Sequence, residues 1–316
     1  MNSQDVTRAV IRLEIQRALR GMETAPRRTI RKLADLGRVC AKGTVQKEMF
    51  STFQRLLRSP ESPYFHCVEE LIKQVDQEAL TTFGINLGYN GWTYGVRKIR
   101  SHKGTNACTS WIFLLNIDKE KGWNTKNLKH FVSQGKSLGV YTYAILPDTP
   151  ADAASMLAPV FEEHADCVFL WFLPPSFVWE SRQNFPCFYN VMPLFSRSTL
   201  EDSACISHLK ENRSLYGIYH IYNEQTEEEA ISKKNLDLLS SFGTPFLFYM
   251  AENKKSDQNS VVSRFAMDAR MKQAYPFVLI DFYSDIVRID RIISGDSHSA
   301  VITEPPHRVL SSALHQ

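Results

Sequence analysis

With 316 residues, 43% of them hydrophobic and 22% charged, the chain can bury a core without covalent staples, and its composition excludes a disordered polymer. The net charge of +3 is uneven: residues 1–60 carry 13 Lys and Arg against 5 Asp and Glu, the remainder 24 against 29. A basic appendage on a mildly acidic body excludes a uniformly basic nucleic-acid coat. It leaves two readings for the first segment: a solvated helical face, or a docking surface for an acidic partner, a phosphate-bearing ligand or nucleic acid.

In chain order, apolar residues recur at helical spacing over 5–22, 27–40, 45–58 and 64–75, with Pro26, Gly43 and the Ser59–Pro63 stretch as breaks. This predicts a basic helical segment over residues 1–80. The texture then changes to short apolar runs rich in β-branched and aromatic residues. They are Thr82–Gly88, Trp111–Ile117, Gly139–Leu146, Cys167–Leu173, Tyr189–Phe195, Leu215–Tyr222, Thr244–Met250 and Phe277–Phe282. Near-continuous apolar strands suit a sheet buried on both faces, and the intervals leave room for one crossover helix each. Helical pattern covers 125–137, 151–164, 199–213, 226–241 and 259–273.

Strict alternation predicts an α/β fold, a parallel (β/α)8 TIM-type barrel over residues 81–294, with an open doubly wound sheet as the competitor. Asp285–Ile293 is expected to form a C-terminal β-hairpin appendage with the last strand, and residues 295–316 a loose tail. No apolar leader or spanning segment is visible, so a cytoplasmic location without membrane contact is expected.

Function in such a barrel gathers at the C-terminal strand ends. Asp118, after the apolar run Trp111–Ile117, can serve as a general base; its plain alternative is a helix cap or turn residue. His220 lies within a strand run and can act as acid or base, or as a satisfied structural histidine. Asp281 sits inside an apolar strand, where a carboxylate must find a cation or a polar opening. These three form the candidate catalytic set. Asn86, Asn90, Trp92, Asn116, Tyr143, Arg197 and Glu252 are the candidate ligand-binding residues, chosen for hydrogen bonding, stacking or anion clamping near strand ends. Ordinary core packing explains most of the aromatic ones. Ser294-Gly295-Asp296-Ser297 offers a weak phosphate cradle. No nucleotide-loop, zinc-protease or nucleophile-elbow motif occurs.

The blocks Thr82–Asn90, Arg20–Arg28, Gln134–Tyr141 and Ile289–Ser294 resemble an uncharacterised bacterial protein family. The architecture in turn resembles a radical SAM barrel, in which the loop after the first strand carries C-x3-C-x2-C. The matching stretch here is Tyr89–Gly95, without cysteine. The six cysteines, at 40, 67, 108, 167, 187 and 205, show no tight pair. No cysteine-based zinc site and no iron–sulfur cluster is therefore expected, no metal ligands are assigned, and the cofactor stays unknown. The expectation is a regulatory or accessory barrel that binds a small-molecule ligand or an acidic protein partner. The alternatives are a lyase or hydrolase using the strand-end acids, with or without a divalent metal, and a nucleic-acid-associated regulator acting through the basic N-terminus.

Overall fold

The computed structural model describes residues 3–22, 25–41, 43–102, 110–175, 188–199, 204–294, 301–302 and 304–305. Four helices come first, α1 (Ser3–Gly21), α2 (Pro26–Cys40), α3 (Thr44–Leu56) and α4 (Pro63–Gln74). Then α5 (Gln77–Ile85) runs through a π-helix (Asn86–Gly95) into α6 (Val96–Ser101). There follow β1 (Ile112–Leu115), α7 (Thr125–Leu138), β2 (Thr142–Ile145), α8 (Ala154–Glu163), β3 (Val168–Phe172), β4 (Val191–Ser196) and α9 (Ala204–Glu211). The last third holds β5 (Gly217–Tyr222), α10 (Glu227–Ala230), α11 (Lys233–Ser241), β6 (Phe246–Ala251), α12 (Val261–Lys272), β7 (Val278–Asp281), α13 (Phe282–Ser294) and β8 (Val301–Ile302).

The chain divides into two compact units, one from residues 1–81 and 200–285, the other from residues 82–199 and 286–316. In the first, β5, β6 and β7 pair side by side, all parallel. Its helical part closes over Met22, Ile30, Leu57, Tyr64 and Phe65, with Val278 of β7 packed against the cluster. Two arginines of the basic segment are spent internally. The guanidiniums of Arg27 and Arg31 lie 5.7 and 5.3 Å from the Phe65 ring centroid, and Arg31 Nε donates to Leu57 O at 3.1 Å.

In the second unit β8, β1, β2, β3 and β4 are neighbours in that order, again all parallel. β1 and β2 are buried at every position, as parallel strands covered on both faces require. Helix ends follow local chemistry. Asn124 and Asn127 cap α7 reciprocally, each side-chain oxygen accepting from the other's backbone N–H, and Gly139 ends it at φ +102°. Gly95 and Gly139 then touch backbone to backbone, since a Cβ on Gly95 would sit 2.2 Å from the Gly139 carbonyl oxygen. Tyr143 of β2 is fully buried, its hydroxyl 3.1 Å from the carbonyls of Val132 and Val140, in a notch left by Gly135.

The fold is thus α/β with parallel strands joined by helices, but neither unit is a closed eight-fold barrel, and the expected eight-fold repeat is broken at its first strand. The first expected strand, Thr82–Gly88, is helical. Asp76 Oδ1 accepts from the N–H groups of Glu78 and Ala79 and starts α5. The buried positions Asn86, Asn90, Gly91 and Gly95 then recur at the four-to-five spacing of a π-helix. The expected hairpin at Asp285–Ile293 is α13, because its buried residues Tyr283, Ile286, Asp290 and Ile293 fall three or four apart. Within the stretch read as a loose tail, Val301 and Ile302 form β8 beside β1.

Candidate functional site

Strand ends in the first unit frame a concavity. β5 finishes at Tyr222 and β6 at Ala251, and the chain leaves both strands through polar turns. Asn223 organises the first turn: its Oδ1 accepts from the N–H groups of Gln225 and Thr226, and its Nδ2 donates to Glu252 Oε2 at 2.9 Å. The second turn passes through Lys254 at φ 57°, and Ser260 then caps α12 by accepting from Ser263 N. Between these turns lies a cavity of about 450 Å³. Four acidic residues, Glu224, Glu227, Glu252 and Asp257, line it beside one basic residue, Lys255.

Tyr222 stands where the cavity meets the sheet. Burial, seconded by the charge of Asp281, pushes its phenol up to about 12, while a hydrogen bond with Ser260 acts the other way. The phenol therefore keeps its proton at neutral pH and presents a donor. Beneath it, His220, Tyr249 and Asp281 occupy one cross-strand row on β5, β6 and β7, so their side chains leave the same face. His220 meets the Tyr249 ring edge-on at 6.1 Å, and the Tyr249 hydroxyl donates to Ala230 O at 3.0 Å.

Asp281 is 1% exposed. Its backbone N–H donates to Asp285 Oδ2 at 3.1 Å, and Asp285 in turn accepts both arms of the Arg270 guanidinium at 2.6 and 2.8 Å. The charge of Asp281 acts on Arg270 too, so the strand-end acid lies in the field of a half-buried cation.

The other sequence-derived candidates separate. Asp118 belongs to the second unit and serves its own turn: its Oδ1 accepts from Glu120 N, and its carbonyl accepts from Lys121 N and Trp123 N. Asn86 Nδ2 donates to Ala165 O and Cys167 O, and Asn90 Nδ2 to Asn86 Oδ1 and Asp166 O. Together they staple the π-helix to the turn before β3. Trp92 packs on Trp111 at 5.8 Å. Asn116 is buried and its N–H extends the β1–β8 ladder to Ile302 O. Arg197 is half-buried in the short turn after β4.

Among the ligand-binding candidates, Glu252 reaches the cavity. Glu227, Lys255, Asp257 and Ser260 were not singled out, since they lie past the strand ends in loops with no motif to mark them. Gly295-Asp296-Ser297, Cys108, Cys187 and Trp179 lie outside the described residues.

No family model, curated protein or solved structure matches the chain.

Among the described residues, no group of three or more His, Cys, Asp or Glu side chains is arranged to hold a metal ion. Nor is any helix long and apolar enough to cross a membrane.

Proposed function

We propose that the chain is a small-molecule-binding protein whose site is the cavity at the ends of β5 and β6, and that it favours a cationic, amine-bearing ligand. The observation that carries this is the cavity of about 450 Å³ with four carboxylates and one lysine on its walls. Its volume suits a small metabolite. The acids favour an ammonium group by charge, and the protonated Tyr222 phenol adds an oriented donor for a carbonyl or hydroxyl. Binding is favoured over turnover because Asp118 is engaged in its own turn and Asp281 in the field of Arg270. The alternation of parallel strands and helices supports, within this reading, an origin in the radical SAM-like barrels the sequence resembles.

The test is a thermal-shift and calorimetry panel of aliphatic diamines, guanidinium compounds, nucleotides and sugar phosphates, run against wild type and the Glu252→Gln/Asp257→Asn double variant. An amine present at about 100 times its Kd stabilises the protein by roughly 2.7 kcal/mol, and the double variant loses that shift. Stabilisation by anions alone, or an amine response that survives in the double variant, sinks the reading.

A further inference from the structure

Helix α1 is apolar on two opposite faces. On one, Leu19 is buried, and Arg12 and Gln16 reach Glu78 across the same unit. The other is in solvent: Val6, Val10 and Leu13 are 47, 54 and 59% exposed. Single exposed apolar residues are ordinary on a protein surface. These three are not scattered, because they sit four and three apart, and the next positions in the same series, Arg17 and Arg20, are exposed as well. Spacing of four, three, four and three is the seam of a left-handed helix pair, in which two core positions per heptad face a partner helix. A solvated surface helix keeps its apolar residues on the inner face alone. Here the inner face is already occupied by the helix's own unit, and a second stripe runs along the outside.

The chemistry of the seam selects its occupant. Its first half is Val, Val and Leu; its second half is two arginines, in a segment where cations outnumber anions 13 to 5 over residues 1–60. Arg17 pairs with Glu14 along the surface, and Arg20 Nε reaches back to Gln16 O at 3.4 Å, so both guanidiniums stay at the seam. A parallel pairing of two copies would set Arg17 against Arg17 and Arg20 against Arg20. An antiparallel pairing would press guanidiniums onto Val6 and Val10. Neither is complementary. We propose that this face of α1 docks an amphipathic helix of a partner protein, apolar opposite Val6, Val10 and Leu13 and carrying carboxylates opposite Arg17 and Arg20. This proposal is independent of the cavity on the same unit.

The test uses the full chain and two synthetic three-heptad helices. They share leucines at the positions facing the valines and Leu13, and carry Glu in one and Lys in the other at the positions facing the arginines. Fluorescence anisotropy is expected to show the Glu peptide binding at least tenfold more tightly than the Lys peptide. Leu13→Asp is expected to abolish that binding with an unchanged melting temperature, since Leu13 is more than half exposed. The charge swap Arg17→Glu/Arg20→Glu is expected to reverse the preference toward the Lys peptide, a gain that misfolding cannot produce. Equal binding of both peptides, or of neither, overturns the proposal. So does Leu13-dependent self-association in sedimentation velocity at the same protein concentration, which would make a second copy the occupant. Binding to phosphatidylserine vesicles without binding to the Glu peptide overturns it as well, in favour of a lipid surface.

Discussion

Gly95→Ala and Gly84→Ala place the same methyl group on one continuous run of helix, yet they are expected to act with opposite sign. Gly95 already has helical geometry, φ −60° and ψ −48°, so its backbone accepts alanine, and propensity alone favours the change by about 1 kcal/mol. The new Cβ, however, would lie 2.2 Å from Gly139 O and 3.0 Å from Asn90 O. The first contact falls about 0.8 Å short of the closest approach that real Cβ atoms make. Gly139 cannot retreat freely, because it sits at φ +102° where α7 ends, and its successor Val140 donates back to Gly135 O at 2.9 Å. Overpacking against backbone of this kind belongs at the upper end of its range, about 3 kcal/mol. Less the propensity gain, Gly95→Ala should lose about 2 kcal/mol. Gly84 is exposed, with nothing within 4 Å of its added Cβ, and its replacement should gain about 0.5–1 kcal/mol. Urea unfolding followed by circular dichroism reads both as shifts of midpoint at constant slope. A Gly95→Ala midpoint equal to or above wild type would refute the close backbone approach.

Three more outcomes are expected. Asp285→Asn breaks a doubly hydrogen-bonded pair whose side chains are 15 and 24% exposed; with Asp281 still beside Arg270, urea unfolding should show a loss of about 3 kcal/mol, and a loss below about 1 kcal/mol would match a solvated surface pair instead. Asn86→Asp sets a carboxylate against the carbonyls of Ala165 and Cys167 at zero exposure; stability should fall by about 3 kcal/mol or more at pH near 8 and by less near pH 5, where the acid can take up a proton. His164 is buried, with Nε2 on Lys129 O, and burial, seconded by Lys136, holds its imidazole below the usual range. The folded state therefore binds fewer protons than the unfolded chain: the contribution of His164 is full above the unfolded value of about 6.5 and is lost as pH falls from there through the lower folded value. Melting temperatures of wild type and His164→Asn, compared from about pH 8 down to about pH 5, should show the wild type falling more steeply; parallel curves would remove His164 as the cause.

What the sequence discloses depends on how many physical demands coincide at a position. The runs around Ile112–Leu115, Thr142–Ile145 and Val168–Phe172 were legible as strands because burial on both faces forces unbroken apolar residues there. Thr82–Gly88 carries the same residue types, but its fate was decided by Asp76, which caps a helix six residues earlier, and by Asn86 and Asn90, whose partners lie about 80 residues ahead. A short apolar run cannot report such distant bonds. Asp285–Ile293 failed similarly, since its five apolar residues fit alternation and helical spacing about equally well until the buried Asp290 is known to accept from Ser110 Oγ and Trp111 N. At the cavity, Glu252 was readable as a strand-end acid. Asp257 and Glu227 were not, because they are placed by the turns of Asn253 and Asn223, and turn residues of this kind occur throughout any surface.

The discontinuity of the first unit sets the order in which the protein can assemble as it is made. Ser62 and Tyr64 wait for Gln273 and for the carbonyl of Arg270, and Leu56 O for the Gln273 amide. The whole of residues 82–199 lies between the two stretches of that unit. At a synthesis rate of about 5–20 residues per second, the four leading helices wait roughly 10–40 s for β7, the strand that packs against the cluster of Tyr64 and Phe65. During that interval the aromatic underside of α4 is open to chaperones and to other nascent chains, and the arginines stacked on Phe65 are the nearest cover the segment has of its own.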